Sequence, residues 1–432
     1  MKSKLVIFLF ILAFFINLLA NHSYHNTINW DKAGYYLYLP AIFVNHDLAN
    51  LAFYEHVDAE YQPTGDVKWN CIFQDSITKR RLNKYPAGVA ILELPFFLLA
   101  KLYTDCTGYP ALYGYSEPYQ ISVCIATIFW LILGLFYLRK LLLRYFNDGV
   151  VAAALALLLF GTNLWCYSIF DMGMSHPFSF GLYCLLLYCT DEWYRKKTGR
   201  YIVVSGILLG LIAIVRPTNA IAIIIPLCWY SEDINTIGKK WKFFTSQYRY
   251  LLIGCLFSVA ILMLQFAYWH YITGHWIIYS YKGETFDFTH PHIIDGLTSY
   301  NKGWLVYTPM ALFCIAGFIP FWKYNRQLCI AILLFTVLNI YIVFSWSFWP
   351  YGGGFSARAL IESYALLAFP LSAFIQWLSL QKLVTRAIFY IVFALFIALN
   401  IFQTWQVHNR ILPSIWINQR EYWNDFGKIK AD

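Results

Sequence analysis

The sequence predicts an all-α polytopic membrane protein, and three observations predict it. Hydrophobic residues fill 59% of the 432 positions and charged residues 13%, with a mean hydropathy of +0.52, too apolar for a soluble chain of this size. Apolar runs recur along nearly the whole length, and Lys and Arg gather at alternate turns between them, as they do in cytoplasmic loops. Aromatic residues reach 20%, with 17 Trp, 34 Tyr and 36 Phe, more than core packing needs and suited to many membrane-interface crossings. The net charge of +9, from 32 basic and 23 acidic residues, therefore reports orientation first and anionic partners second; membrane lipids are expected partners and nucleic acid is not.

Taken in order, residues 5–20 are apolar apart from Asn17 and follow two lysines. They are either a first transmembrane helix with its N-terminus inside or a signal peptide. Leu18-Leu19-Ala20 lacks the small-x-small pattern of a cleavage site, which favours the helix. Residues 21–118 form the first extracytoplasmic loop, with the acids Asp31, Asp47, Asp58, Asp66 and Asp75 and the basic cluster Lys79-Arg80-Arg81-Lys84. Within it, residues 86–103 are apolar but interrupted by Pro86, Glu93, Pro95 and Lys101, which predicts a helix lying in or dipping into the outer interface.

The rest of the membrane bundle occupies 119–404. Its expected spans are 119–138, 149–163, 175–190, 201–215, 220–230, 251–271, 304–321, 329–348, 357–378 and 387–404, the 220–230 return being short and so tilted or extended. Basic residues mark every proposed cytoplasmic turn: Arg139, Lys140 and Arg144; Arg195-Lys196-Lys197; Lys239, Lys240, Lys242 and Arg249; Lys323 and Arg326; Lys382 and Arg386. The count is eleven spans in a single integral domain of the cell inner membrane, N-terminus inside, with an extracytoplasmic tail at 405–432.

Of the ten cysteines, Cys124, Cys184, Cys189, Cys228, Cys255, Cys314 and Cys329 fall inside apolar runs as small hydrophobes. Cys71 and Cys106 lie in the external region, where an oxidising compartment would let them pair, although nothing in the sequence fixes their distance.

The stretch that organises the chain is Trp30-Asp31-Lys32-Ala33-Gly34-Tyr35-Tyr36-Leu37-Tyr38-Leu39-Pro40, which puts a carboxylate just outside the membrane among interface-seeking rings. Asp31 reads as an active-site acid; an ordinary solvated loop acid explains it about as well. Asp171, in the short turn Phe170-Asp171-Met172-Gly173-Met174-Ser175-His176-Pro177, would face it. Arg358 and Glu362 are four apart after Gly352-Gly353-Gly354, on one face of an α-helix, as a ligand site or a structural ion pair. The glycines would let helix amides approach a phosphate, a weak signal on its own. Lys84 opens the interfacial helix, where it would meet a lipid headgroup or serve as an anchor. A charge within a span costs roughly 2.5–3.5 kcal/mol at its centre, so charges near span ends should line a cavity or pair with each other. His290-Pro291-His292 with Glu284 and Asp287 offers metal-binding side chains, but incidental histidines in a polar loop are the commoner case. No metal ligand is assigned, and a divalent ion stays open.

These residues carry a resemblance. One span, a long external loop with an early Asp31, Lys84-Tyr85-Pro86 opening an interfacial helix, then a span and a second external Asp171 resemble the GT-C glycosyltransferases. The nearest groups are the aminoarabinose transferases and protein O-mannosyltransferases. Asn83-Lys84-Tyr85-Pro86-Ala87-Gly88, the segment Ser280 to Phe288 and Asn400-Ile401-Phe402-Gln403-Thr404-Trp405-Gln406 are also similar to members from Bacteroidetes-type bacteria. The resemblance implies transfer of a sugar from a polyprenyl-phosphate donor to a glycan, lipid or protein acceptor outside the cytoplasmic membrane. Lys32 stands where protein mannosyltransferases carry a second acid, which speaks against a protein acceptor, and the soluble C-terminal domain of some members is not seen.

On this reading Asp31 is the candidate base, Asp171 orients substrate, and Lys84 and Arg358 hold the donor phosphate. His176, Tyr281, Glu284 and Glu362 complete the candidate substrate contacts. Two other classes compete. A polysaccharide polymerase or ligase would use similar lipid-linked donors and favour a larger late external loop. A transporter or lipid flippase would show inverted repeats and midplane charges, neither of which is visible.

Overall fold

The computed structural model describes residues 1–65, 67, 71–230, 234–281 and 283–430, with 234–237 in backbone only. Asp66 of the loop acids and Lys282 of the Ser280 to Phe288 segment lie outside the described residues. Helix α1 (Lys2–Ala20) buries Phe10, Phe14 and Leu18, spaced by four, and leaves Phe8, Leu12 and Ile16 exposed, so it is packed into the bundle along one stripe.

The first loop is folded. It carries α2 (Asp31–Tyr36), α3 (Tyr38–Phe43), α4 (Tyr54–Tyr61), an antiparallel ribbon of β1 (Ile72–Gln74) and β2 (Arg81–Asn83), and α5 (Gly88–Thr107). The helix expected over 86–103 is α5, stopped by Gly108 in the left-handed region. Pro95 is accommodated inside it, and in the turn before that proline the Trp130 indole donates to the Leu92 carbonyl at 3.0 Å. Cys71 is buried and Cys106 exposed, and both are free thiols, so the pairing that compartment alone allowed is not made.

The bundle continues with α6 (Glu117–Leu142), α7 (Asp148–Gly161), α8 (Leu164–Ile169), α9 (Ser175–Lys196) and α10 (Gly199–Val215). A 3-10 segment (Pro217–Ile223) runs into α11 (Ile224–Cys228). Then come α12 (Ile234–Ser246), α13 (Tyr248–Thr273), α14 (Ile293–Thr298), α15 (Trp304–Tyr307), α16 (Ala311–Ala316), α17 (Phe318–Tyr324) and α18 (Arg326–Phe344). A second 3-10 segment (Arg358–Ser363) leads into α19 (Tyr364–Ser379), followed by α20 (Leu383–His408) and α21 (Gln419–Asp425).

The expected spans fall mainly on helix, except that 304–321 is broken into α15, α16 and α17, and length divides the rest. Among the described residues six helices are long and apolar enough to cross a membrane: Lys2–Ala20, Leu112–Leu142, Tyr248–Thr273, Arg326–Phe344, Arg358–Ser379 and Leu383–His408. The expectation of eleven is not met by length and composition. Helices α7 and α10, of 14 and 17 residues, reach about 21 and 26 Å, short of a hydrocarbon core of about 30 Å. The expected 220–230 return is 3-10 only as far as Ile223, where it rises about 2.0 Å per residue, and α-helical from Ile224 to Cys228.

Helix α9 is the centre, buried almost all round. It approaches α6 at Gly134 and Gly181, where a Cβ on Gly134 would lie 2.5 Å from the Gly181 Cα; only small residues allow this crossing. Helices α13 and α20 instead expose apolar faces, Leu252, Leu256 and Leu264 on one and Val384, Ile388 and Leu395 on the other, the surface that lipid would cover. At the far end of α9, Asp191 and Glu192 are paired with Arg144, Arg195 and Lys196, so Arg195 and Lys196 of this turn and Arg144 of the earlier one are ion-paired. That end lies about 22 Å along the helix from His176.

The tail is not a free polar extension. Helix α20 continues to His408, and α21, opened by a capping box at Asn418 and Glu421, folds back so that Gln406 donates to the Asp425 carbonyl at 3.0 Å and Tyr422 is buried.

Candidate functional site

Asp31 is the first residue of α2, held there by an unusual entry. Trp30 has φ +47°, half-exposed, and its N–H donates to the Pro63 carbonyl at 2.8 Å. The Asp31 carboxylate accepts from the Tyr85 hydroxyl at 2.6 Å on Oδ1 and from Arg358 Nη2 at 2.6 Å on Oδ2. Arg358 Nη2 also donates to the Tyr351 carbonyl at 2.5 Å. Burial pushes the Asp31 carboxyl up, but Arg358, the Tyr85 hydroxyl and nearby Lys84 outweigh it and hold it below the ordinary carboxylate range. Burial and Asp31 together push the Tyr85 phenol well up, so it remains a donor.

Around this pair the other expected residues gather. Lys32, buried, is bonded to Asp171, so the second acid faces the residue after Asp31 rather than Asp31 itself. Lys84 Nζ sits 2.5 Å from Glu284 Oε1 and 4.9 Å above the Tyr281 ring, whose edge meets Tyr85. Tyr35 links these to a deeper cluster, its hydroxyl 3.5 Å from Ser175 Oγ and its ring 4.8 Å from Tyr85. There Glu362, fully buried, accepts from Asn219 at 3.1 Å, meets His176 Nδ1 at 3.3 Å and lies 3.5 Å from Arg216 Nε.

Arg358 and Glu362 are therefore not partners. The four-residue spacing aligns side chains only on an α-helix, whereas Arg358–Ser363 is 3-10, where four steps turn about 120° off the starting face. Each takes a partner from elsewhere: Asp31 for one, Arg216, Asn219 and His176 for the other. The glycine run serves packing at Gly354, where a Cβ would lie 2.5 Å from the Tyr167 hydroxyl that caps Phe355. The His290-Pro291-His292 loop stays apart: His290 pairs with Asp287 on the surface while Glu284 is committed to Lys84. Among the described residues no three His, Cys, Asp or Glu side chains converge on a metal position.

Sequence reasoning passed over Arg216, Asn219 and Lys302 as site residues. Arg216 had a signal, a charge breaking an apolar run; Lys302, a single lysine between Asn301 and Gly303, had none. Lys302 is buried, donates to the Pro350 carbonyl at 3.4 Å, and its amine is brought down to about 7, first by burial and then by Arg358, with Asp31 opposing.

One glycine governs the geometry. A Cβ on Gly34 would fall 2.3 Å from Tyr85 Cδ2 and 3.1 Å from Cys71 Cβ, so Gly34→Ala must push the Tyr85 ring from its place. The expected result is loss of the Tyr85–Asp31 bond and a drop of about 100-fold in whatever reaction the site performs, with the protein still folded, checked by turnover alongside thermal unfolding. Unchanged turnover would mean that the Tyr85 contact is dispensable.

The arrangement sets Asp31 against Arg358 and the Tyr85 hydroxyl with Lys84 nearby, while Lys32, Lys84 and Arg216 each face a carboxylate of their own. No protein-family model, curated protein or solved structure matches this chain.

Proposed function

We propose that the chain is a membrane glycosyltransferase of the GT-C type, moving a sugar from a polyprenyl-phosphate donor to an acceptor on the extracytoplasmic face. The observation that carries the reading is the meeting of Asp31, Tyr85, Arg358 and Lys84, from three distant segments, in one partly open cluster. Asp31 takes the proton of an acceptor hydroxyl as its oxygen attacks the anomeric carbon, and the bond from that carbon to the phosphate oxygen breaks. The electron pair leaves on the lipid phosphate, where Arg358 and Lys84 stabilise the growing charge. Direct displacement inverts the anomeric centre. Asp171 acts through Lys32, and Glu284 and Tyr281 set the position of Lys84.

The test is incubation of purified protein with a panel of polyprenyl-phosphate sugars and acceptors, read as release of free lipid phosphate with sugar transfer. Release with no panel member overturns neither donor nor acceptor singly, so donor binding is measured in parallel; absence of both sinks the reading.

The finer topology belongs to the same proposal: eleven passes in the cell inner membrane, N-terminus cytoplasmic and C-terminus outside, the short helices tilting or thinning the bilayer around them. Single cysteines placed beside Asp31, Asp171, Glu284 and Arg358 should all react with an impermeant maleimide in intact cells. Labelling beside Asp31 with protection beside Asp171 would break the shared face.

A further inference from the structure

Charge accounting among the described residues of the cluster leaves one cation over. Lys32 has Asp171, Lys84 has Glu284, Arg358 has Asp31 and Arg216 has Glu362. Lys302 is the fifth of these cations and, among the described residues, has no carboxylate within ion-pair distance, only the Pro350 carbonyl. It is 5% exposed, too buried for water to compensate the charge. Arg358, whose charge acts on Lys302, rests on the next carbonyl along, that of Tyr351. Successive carbonyls of one loop thus take one cation each, and Lys302, unlike Arg358 with Asp31, has no carboxylate bonded to it among the described residues.

We propose that Lys302 anchors the donor phosphate, which docks between Lys302 and Arg358. This rests on the glycosyltransferase reading and adds to it a residue that neither the sequence nor the Asp31 cluster had pointed to. A sugar phosphodiester brings one negative charge, matching the one cation in excess. The groups facing Lys302 are Arg358 and Asp31, and when phosphate draws Arg358 toward itself the base is released from its strongest partner.

Since the free amine titrates near neutrality, binding an anion requires the protonated form, and donor affinity should fall as pH rises above about 7. Arginine at the same place would stay charged and remove this dependence.

The experiment measures binding of farnesyl methyl phosphate, a lipid phosphodiester whose own charge does not change between pH 6 and 9, to the full chain in nanodiscs. Farnesyl diphosphate and inorganic phosphate are the comparison probes. Wild type should bind the diester more weakly with rising pH, by up to about tenfold per unit. Lys302→Gln should weaken it roughly tenfold or more at pH 6 with a flat profile, and Lys302→Arg should keep affinity and also be flat. Equal affinity and equal pH slope in wild type and Lys302→Gln would overturn the anchor while leaving the donor reading intact. No diester binding by wild type at any pH would overturn both. Inorganic phosphate held as tightly as the diester, with the same Lys302 dependence, would overturn the lipid donor as the source of the phosphate.

Discussion

Asp31→Asn is expected to lose turnover by about 10²–10⁴-fold while binding a prenyl phosphodiester at least as tightly as wild type. The two halves have different causes. The amide keeps the shape of the side chain and still accepts from Tyr85, but it cannot take a proton from an acceptor hydroxyl at neutral pH. The carboxylate also competes with the donor for Arg358, from which it is 2.6 Å away, and removing its charge frees that guanidinium for phosphate. On the proposed glycosyltransferase reading, the base in the resting protein is thus held weak by the group that would serve the leaving phosphate, and gains strength only when donor arrives. Turnover and equilibrium binding on the same preparation check both halves. Near-normal turnover would remove Asp31 from the reaction; a fall in donor affinity would mean that the carboxylate orients Arg358 rather than competing for it.

The helical architecture was legible in the sequence because burial in lipid demands long apolar runs with internally paired backbones, and the runs were there to count. What could not be counted was which of them reach full length, since α7, α10 and the Pro217–Cys228 segment are as apolar as the longer helices but end early. The candidate residues were legible for a related reason. A charge at the edge of an apolar run is expensive, so Asp31, Lys84, Asp171 and Arg358 stood out, and the structure draws all four toward one place. Their partners were not legible. Asp31 and Arg358 are 327 positions apart and Lys84 and Glu284 are 200 apart, distances over which no local periodicity carries information. The one pairing that spacing did suggest, Arg358 with Glu362, assumed a helix type that the backbone does not adopt there.

That misassigned pairing leads to the second large effect, on stability. Glu362→Ala should cost about 3–5 kcal/mol, because it leaves the part-buried Arg216 with its countercharge gone and removes the acceptor of Asn219 and the partner of His176. Replacing both members by apolar side chains of similar size, Arg216→Met with Glu362→Leu, should recover most of that loss, since no unpaired charge remains and the site is otherwise enclosed. Arg358→Ala is a separate event: it strips Asp31 of its cation and breaks no hydrogen bond or ion pair of the Glu362 cluster, so its cost should add to that of Glu362→Ala within about 0.5 kcal/mol. The measurement is a pair of double-mutant cycles by denaturant titration in detergent, one joining Arg216 with Glu362 and one joining Arg358 with Glu362. Coupling above about 1 kcal/mol in the first and none in the second is expected. The opposite pattern would restore the Arg358–Glu362 pair, release Asp31 from its partner, and with it withdraw the competition by which donor binding strengthens the base.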